Sequence, residues 1–186
     1  MPPPRSRSRP RYRLRRVVAS DVSALVDHRR AMWRDIGSHA LRTIEEHLPV
    51  YRRWLRLGLA RGRIVGLLVE GPQGRVAASG LLWFQETQPR PGELTPYSPY
   101  ILSMYTSPDH RGRGLATRIV RGLVRECRSR GYLRVTLHAS DAGRPVYRRL
   151  GFVRSREMRR SLLPRAGRAR SATGRGRRRP AAARRA

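Results

Sequence analysis

The sequence predicts one mixed α/β domain between two arginine-rich ends. Short apolar stretches typical of strands alternate with helix-like stretches through the middle of the chain, whereas both ends contain few large apolar side chains. A glycine-containing loop also connects a strand to the most regular helix. With 186 residues, the chain suits a single domain with a substantial hydrophobic core.

The first part of the domain predicts a strand followed by two helices. Alternating apolar residues indicate a strand over residues 12–18. A helix is expected over 20–34, because Ser and Asp at its start are typical helix-initiating residues. Ser38 can cap a second helix, which we expect Pro49 to interrupt before helix resumes over 54–59.

The middle of the chain predicts three strands. The apolar stretches 64–70 and 76–84 form an expected antiparallel hairpin, because the Gly-Pro-Gln-Gly segment 71–74 is a turn signal. Residues 85–99 are rich in proline and other turn formers, which indicates a long loop. The apolar stretch 100–106 predicts the next strand.

The most regular helix of the chain is predicted over residues 112–130, with Gly131 as its terminating residue. Its apolar residues recur at helical spacing and share one face: Ala116, Ile119, Val120, Leu123 and Cys127. A strand over 133–137, a short helix over 143–150 and a last strand over 152–158 complete the expected order.

Positive charge is concentrated at the two ends. All 42 basic residues are arginines, and the formal net charge is +30. Residues 1–16 and 164–186 hold 16 of these arginines and no acid, so +14 remains for the middle. We therefore expect disordered basic arms over 1–10 and 164–186, because they lack the apolar surface that offsets the entropy of ordering. The globular domain is expected over 11–163.

Several classes of protein are excluded or disfavoured by composition. Cys127 is the single cysteine, so an internal disulfide and a cysteine-based metal site are excluded, and no metal is expected. The sequence contains no stretch of roughly 18 apolar residues, so no membrane helix is predicted. The N-terminus lacks the apolar core of a secretion signal, so a cytoplasmic protein is the expectation, with an arginine-rich transit peptide as the alternative.

The loop after residue 108 has the features of an anion site. It opens directly into a helix, whose first backbone amides and dipole favour negative charge. Gly112 and Gly114 have no Cβ, so a ligand can approach the backbone closely. A phosphate or pyrophosphate is therefore expected at residues 111–117. The chain has no lysine for a P-loop, and it lacks the third glycine of a dinucleotide fingerprint.

Two segments in this half resemble motifs of the GNAT acetyltransferase family. The stretch Arg111-Gly112-Arg113-Gly114-Leu115-Ala116 matches the family pattern [RQ]xxGx[GA] after a strand. The later stretch Tyr147-Arg148-Arg149-Leu150-Gly151-Phe152 matches its tyrosine before a leucine-glycine-phenylalanine step. Their order and spacing make the resemblance specific over about 100–160, and only the element order agrees over 12–99.

The resemblance implies a fold, a cosubstrate and its binding residues. The fold is a mostly antiparallel mixed sheet of about six strands flanked by about four helices, splayed at the cofactor strand. The cosubstrate is acetyl-CoA, whose pantetheine arm would pair with a strand and whose pyrophosphate would bind the loop. The implied cofactor-binding residues are Met104, Tyr105, Thr106, Arg111, Gly112, Arg113, Gly114, Leu115, Ala116 and Thr117.

The resemblance also implies direct transfer of the acetyl group to a primary amine of a small molecule or peptide. Tyr147 matches the family's general acid, and a phenol stays protonated at neutral pH. Its alternative role is packing on Phe152. The family often forms dimers, so a homodimer is also expected.

The general base is left open by the sequence. The strand 100–106 contains no carboxylate, although many relatives place an acidic base there. Glu86 is the favoured candidate because it follows the strand 76–84. Glu70, a chain of waters and bulk solvent are the alternatives.

Three residues are candidates for binding the acceptor: Asp35, Trp83 and Ser140. Asp35 lies at the expected end of the first helix, where relatives often bind this substrate. Ser140 and nearby His138 follow a strand end and either could line the site. Each of these residues also suits a purely structural role.

Two other functions remain open. The net charge of +30 predicts salt-sensitive attraction to nucleic acid, which we assign to the arginine-rich ends. The absence of a strand carboxylate also suits a GNAT-like protein that binds CoA without turnover or uses a longer acyl group. Because like charges repel, the basic middle favours neutral or acidic amines over a polycationic acceptor.

Overall fold

The computed structural model describes residues 12–92 and 95–158 and contains an α/β fold. Its strands are β1 Arg13–Arg16, β2 Ile64–Glu70, β3 Val76–Glu86, β4 Tyr97–Thr106 and β5 Thr136–Leu137. Its helices are α1 Val22–Ile36, α2 Leu41–Ala60, α3 Leu115–Ser129 and α4 Arg144–Arg149.

The five strands form one sheet in the order β1-β2-β3-β4-β5. The first four are antiparallel to their neighbours, and β5 runs parallel to β4. The predicted mixed and mostly antiparallel α/β fold is thus confirmed, and Gly71 and Gly74 form hydrogen bonds within the expected hairpin turn.

The described residues contain five strands rather than about six. Residues 152–158, predicted as a last strand, form none. A strand needs a partner for its backbone hydrogen bonds, and β5 offers only two residues. Phe152 packs against the α3-side core, whereas Val153 and Met158 are 91% and 96% exposed, so the apolar pattern after Phe152 reaches no core.

Pro49 does not interrupt the second helix, contrary to the sequence-based expectation. Helix α2 continues from Leu41 to Ala60 with Pro49 inside it. Because proline has no backbone N–H, one carbonyl in the preceding turn loses its helical hydrogen bond. Pro49 lies on the exposed face of the helix, where solvent can replace that hydrogen bond. The apolar face formed by Ile44, Leu48, Tyr51 and Leu55 is buried on both sides of the proline. Ser38 does not cap this helix, whose N-cap is Ala40.

Helices cover both faces of the sheet. On one face, α3 contributes Ile119, Val120 and Leu123 to a core that includes sheet residues Val65, Val69, Leu82, Phe84 and Ile101. On the other face, α1 and α2 contribute Val22, Leu25, Val26, Leu48, Tyr51 and Leu55, which pack with Ile64 and Leu81. The alternating side chains of β2 and β3 thus supply both cores.

Strand β4 contains a β-bulge in the middle of the sheet. Residues 79–81 of β3 face residues 102–105 of β4, so β4 has one extra residue. Ser103 takes up this extra residue with a φ of 50°. Consequently Leu102 and Ser103 both contact the layer of α1 and α2, whereas Met104 packs on the α3 side.

The sheet opens beside this bulge. Strand β5 pairs only with Tyr100 and Ile101 of β4, which then continues to Thr106. Within the part of the chain that the structure describes, no strand pairs with this edge after Ile101. The sheet is therefore splayed at β4, as the sequence motifs led us to expect.

The compact unit ends at Val153, and a second unit begins at Arg154, of which the structure describes only residues 154–158. The predicted basic arms over 1–10 and 164–186 lie outside the described residues. Among the described helices, none has the length and apolar character needed to cross a membrane.

Gly80 is required for close packing beside the bulge. An ideal Cβ at this position would lie 2.2 Å from the Met104 sulfur and 2.8 Å from Cγ2 of Ile119. We expect Gly80→Ala to lower the free energy of unfolding by about 1–3 kcal/mol through overpacking. Gly71→Ala is the matched control, because its Cβ would meet nothing closer than 3.5 Å. Urea denaturation measures the free energy of unfolding of both variants. Equal values for the two would contradict the proposed close packing at Gly80.

Candidate active site

The loop after β4 presents the start of α3 to open space. The turn Pro108–His110 leads to Gly112 and Gly114, whose φ angles of 72° and 71° lie in the left-handed region. A Cβ added at either glycine would meet no heavy atom within 4 Å. Gly114 directly precedes α3, so this helix begins at Leu115 rather than at residue 112. The amides of 115–117 lack helical acceptors, which favours an anion there.

Arg111 is held by three neighbouring groups. Its Nε donates to the Thr106 carbonyl at 3.0 Å, and its Nη2 forms an ion pair with Asp35 near the end of α1. The guanidinium also lies 5.8 Å from the centroid of the Tyr105 ring. The hydrogen bond to Asp35 raises the pKa of Arg111 above its usual value. The structure thus brings Asp35 to the glycine loop.

The other cofactor candidates lie along the same edge. Arg113 is exposed, and its Nη2 is 3.5 Å from the Asp109 carbonyl oxygen. Ala116 and Thr117 are partly buried in the first turn of α3, after the buried Leu115. The candidates 104–106 and 111–117 therefore form a continuous path from the bulge to the helix start.

A buried polar cluster centred on His28 of α1 packs against β4. Nδ1 of His28 lies 2.8 Å from the Ser79 hydroxyl, and its Nε2 lies 3.2 Å from the Val76 carbonyl oxygen. The His28 ring also contacts Tyr105 edge-on, with centroids 5.1 Å apart. Burial lowers the pKa of His28 and raises that of Tyr105, so both side chains favour their neutral forms.

Tyr147 lies on α4 and is partly buried. Its ring contacts Phe152 edge-on at a centroid distance of 5.9 Å, so it has the packing contact expected from the sequence. Burial, with a smaller effect of Tyr100, raises the pKa of Tyr147 to about 12. The phenol therefore keeps its proton at neutral pH.

Ser140 and His138 take part in local structure. The Ser140 hydroxyl accepts a hydrogen bond from the Gly143 amide at 3.2 Å, just before α4. His138 Nδ1 forms a hydrogen bond with the hydroxyl of Tyr100, the first β4 residue that pairs with β5.

Glu86 and Trp83 lie toward the opposite end of β3 from the glycine loop. Glu86 pairs with Tyr97, the first residue of β4, and its side chain is 75% exposed. Ser103 lies six residue steps along the strand from Tyr97, or roughly 20 Å at about 3.3 Å per residue. Trp83 contacts Trp54 edge-on and lines a pocket of about 320 Å³. The structure does not bring Glu86 to the bulge.

One further polar side chain lies at the bulge, and no sequence pattern indicates it. Arg29 on α1 reaches the bulge, where its Nη1 donates to the Ser103 hydroxyl at 3.3 Å. In a chain with 42 arginines, no local pattern distinguishes this one from the exposed majority. Only its burial among residues of α2 and β4 marks it.

The open β4 edge, the glycine loop and the helix that follows define an acetyltransferase fold, and a comparison of sequences agrees. The profile of the acetyltransferase (GNAT) family matches residues 24–152. This match spans more than half of the chain, so the protein belongs to the GNAT family.

Individual relatives agree with this assignment. A glucosamine 6-phosphate N-acetyltransferase of Trypanosoma brucei brucei is 30% identical over 102 residues, which are 54% of this chain and 67% of that protein. The crystal structure of a GCN5-related N-acetyltransferase from Ralstonia eutropha JMP134 is similar with a TM-score of 0.74 and 30% identity, over 81% of this chain and 98% of that one.

A predicted acetyltransferase from Clostridium acetobutylicum, solved with acetyl-CoA, is similar with a TM-score of 0.73 and 30% identity. The match covers 81% of this chain and 96% of that chain.

The depressed pKa of His28 predicts loss of stability in acid. The folded protein holds the neutral imidazole, whereas the unfolded chain binds a proton near the usual pKa of 6.5. The free energy of unfolding should therefore fall as the pH drops below about 6.5. We expect His28→Gln to flatten this slope, as measured by urea denaturation between pH 7.5 and 5.5. His39 is exposed, so His39→Gln should leave the pH dependence of the unfolding free energy unchanged. Identical slopes in all three proteins would contradict the burial of a neutral His28.

Proposed function

We propose that this protein transfers the acetyl group of acetyl-CoA directly to a primary amine of a small molecule or peptide. The observation that carries the proposal is the open β4 edge, which leads without interruption into Gly112, Gly114 and the start of α3. A strand edge offers hydrogen bonds to an extended amide chain, and a helix start offers them to phosphate.

The two parts of acetyl-CoA would occupy these two features. The amide groups of the pantetheine arm would pair with the backbone of residues 104–106, and the pyrophosphate would contact the amides of 112–117. Arg111 and Arg113 would add positive charge. The acetyl-CoA in the similar structure from Clostridium acetobutylicum supports this choice of cosubstrate.

The proposed reaction has one covalent step. The neutral amine nitrogen attacks the thioester carbonyl carbon, and a backbone N–H of β4 stabilises the negative charge that develops on oxygen. The C–N bond forms, the C–S bond breaks, and the thiolate of CoA takes the proton of the Tyr147 hydroxyl. Solvent then returns a proton to Tyr147 and accepts the proton that the amine releases.

Solvent is the proposed proton acceptor because the candidate carboxylates are occupied or distant. Glu70 forms an ion pair with Arg15 at 2.6 Å. Glu86 is exposed near Arg63, at the start of the β3–β4 pairing. Glu86 as general base stays a prediction from the sequence that its position does not favour.

The proposed acceptor is a neutral or acidic amine rather than a polycation. The basic character of the chain repels polycations, and the similar Trypanosoma protein is named for an acceptor that contains a phosphate. A cytoplasmic location and a homodimer stay predictions, as does contact of the arginine-rich ends with nucleic acid.

Binding of acetyl-CoA to the full chain tests the proposal by calorimetry. We expect saturable binding at one site and a loss of at least about tenfold in affinity for Gly114→Trp, because the indole fills the proposed phosphate position. Gly131→Trp is a close control, since Gly131 has a φ of +76° and nothing within 4 Å of an added Cβ, but lies beyond the other end of α3. Absence of binding to the unmodified chain would overturn the acetyltransferase proposal.

Tyr147→Phe tests the general acid separately from binding. We expect kcat to fall by about 10²–10⁴-fold, because the leaving thiolate loses its proton donor, while the affinity for acetyl-CoA is kept. Because the pKa of Tyr147 is about 12, its ionisation should cause no loss of wild-type activity between pH 7 and 9. The assay measures release of the CoA thiol.

Tyr132→Phe is the matched control, because this phenol stacks on Phe84 at 5.4 Å and has no proposed role. An equal loss of activity in both variants would assign Tyr147 a packing role. Acetyl-CoA binding without turnover of any amine would favour the alternative of a CoA-binding protein.

A further inference from the structure

Arg29 is enclosed by aromatic and hydroxyl groups on the α1 side of the bulge. Its guanidinium carbon lies 4.8 Å from the centroid of Trp33 and 5.0 Å from that of Tyr51. Its Nη1 donates to the Ser103 hydroxyl at 3.3 Å. Its Nε is buried and has no hydrogen-bond partner in the structure.

Arg29 also lacks a carboxylate partner among the described residues. Two other partly buried arginines differ: Arg15 pairs with Asp21 and Glu70, and Arg30 pairs with Asp27 and Glu45. Burial lowers the pKa of Arg29, and no carboxylate opposes this effect. A guanidinium nevertheless remains charged in proteins. A partly buried and uncompensated cation costs stability, so it calls for a ligand that supplies the missing charge.

The groups that contact Arg29 among the described residues are neutral: the rings of Trp33 and Tyr51 and the hydroxyl of Ser103. The hydroxyl of Tyr51 also donates to the Ser103 hydroxyl, at 3.3 Å. Because the Ser103 oxygen then accepts two hydrogen bonds, its own proton is available to a further acceptor. The unpartnered Nε is enclosed, so it adds to the cost of burying the guanidinium rather than meeting a ligand directly. The guanidinium charge and the Ser103 proton together suit the oxygens of a carboxylate or a phosphate.

The position of this cluster connects it with the proposed transfer reaction. Ser103 directly precedes residues 104–106, along which the cofactor arm would lie. An anion bound to Arg29 would therefore be close to the thioester end of the cosubstrate. A small acceptor that carries both groups could bind its anion here and present its amine to the thioester.

We propose that Arg29 binds the acceptor through an oxyanion, and that the preferred acceptor is a small amine carrying a phosphate or a carboxylate. This inference rests on the proposed acetyltransferase function and specifies the substrate class of the same site. Arg29 touches the substrate and determines its selection, whereas Trp33 and Tyr51 hold the guanidinium in place.

Paired acceptors that differ by the anion alone test the inference on the full-length protein. Glucosamine and glucosamine 6-phosphate differ by a phosphate, and phenylethylamine and phenylalanine differ by a carboxylate. We expect kcat/KM to be at least about tenfold higher for the anionic member of one pair, which identifies the group. Arg29→Gln should remove this preference, mainly by raising KM, without changing the affinity for acetyl-CoA.

Arg53→Gln is the matched control, because it removes one positive charge from an exposed position on α2. Equal loss of preference in both variants would assign the effect to the general positive field and overturn the inference. Acetylation of the neutral amines with no preference for the anionic ones would also overturn it, while leaving the proposed function intact. Failure of the wild type to bind acetyl-CoA would instead overturn the proposed function.

A binding measurement gives a result even if none of these amines is acetylated. With CoA saturating the cofactor site, phosphate or acetate should change the tryptophan fluorescence of the wild type and of Arg53→Gln, because Trp33 contacts the guanidinium. Arg29→Gln should lose the saturable change. The same response in all three proteins would overturn the inference.

The melting temperature without anions separates a ligand-binding role from a structural one. Arg29→Met retains side-chain bulk between the two rings and removes the uncompensated charge. We expect it to melt at the same or a higher temperature than the wild type, and phosphate or acetate should stabilise only the wild type. A clear decrease for Arg29→Met, with no anion effect on the wild type, would assign Arg29 a structural role and overturn the inference.

Discussion

The one-residue mismatch between β3 and β4 is the constraint on which the rest of the site depends. Because β4 has an extra residue opposite Gly80, the alternation of its side chains is broken once. Leu102 and Ser103 therefore face the same helical layer, and a hydroxyl is placed where regular alternation would direct it to the α3 core. Gly80 leaves room for Met104 to fill that core instead.

The two helical layers have different roles around this mismatch. Helix α3 supplies a continuous apolar stripe to the sheet and directs its start toward the loop. Helix α1 carries polar groups to β4, with His28 behind Tyr105 and Arg29 at Ser103. One layer therefore fixes the glycine loop by apolar packing, whereas the other brings charge and hydrogen-bond donors to the opposite face of β4.

The features that the sequence predicts well are those encoded by neighbouring residues. The glycine loop and α3 depend on local backbone freedom and on a 3.6-residue period, and both lie close to where the sequence indicates. The continuity of α2 through Pro49 depends instead on burial of the residues on either side of it. The missing strand at 152–158 depends on the length of its neighbour β5, which local patterns do not specify.

The candidate site shows the same division. Tyr147 and the loop glycines belong to short motifs, whereas Arg29 owes its enclosure largely to partners 22 and 74 positions away, Tyr51 and Ser103. Proximity in the chain to a strand end suggested Glu86, but the antiparallel pairing carries that end away from the bulge. Sequence patterns locate turns and periodic faces, and the register of the sheet decides which of them meet.

The ion pair between Asp35 and Arg111 links the end of α1 to the loop before α3. An anion that binds the loop would compete with this carboxylate for Arg111. Binding would then exchange one ionic partner of Arg111 for another, so the gain in binding free energy would be smaller than with an unpaired guanidinium. The released carboxylate would then lie near the negative end of the α1 dipole. The stability of the end of α1 would thereby be coupled to occupancy of the loop, even though the two segments are far apart in the chain.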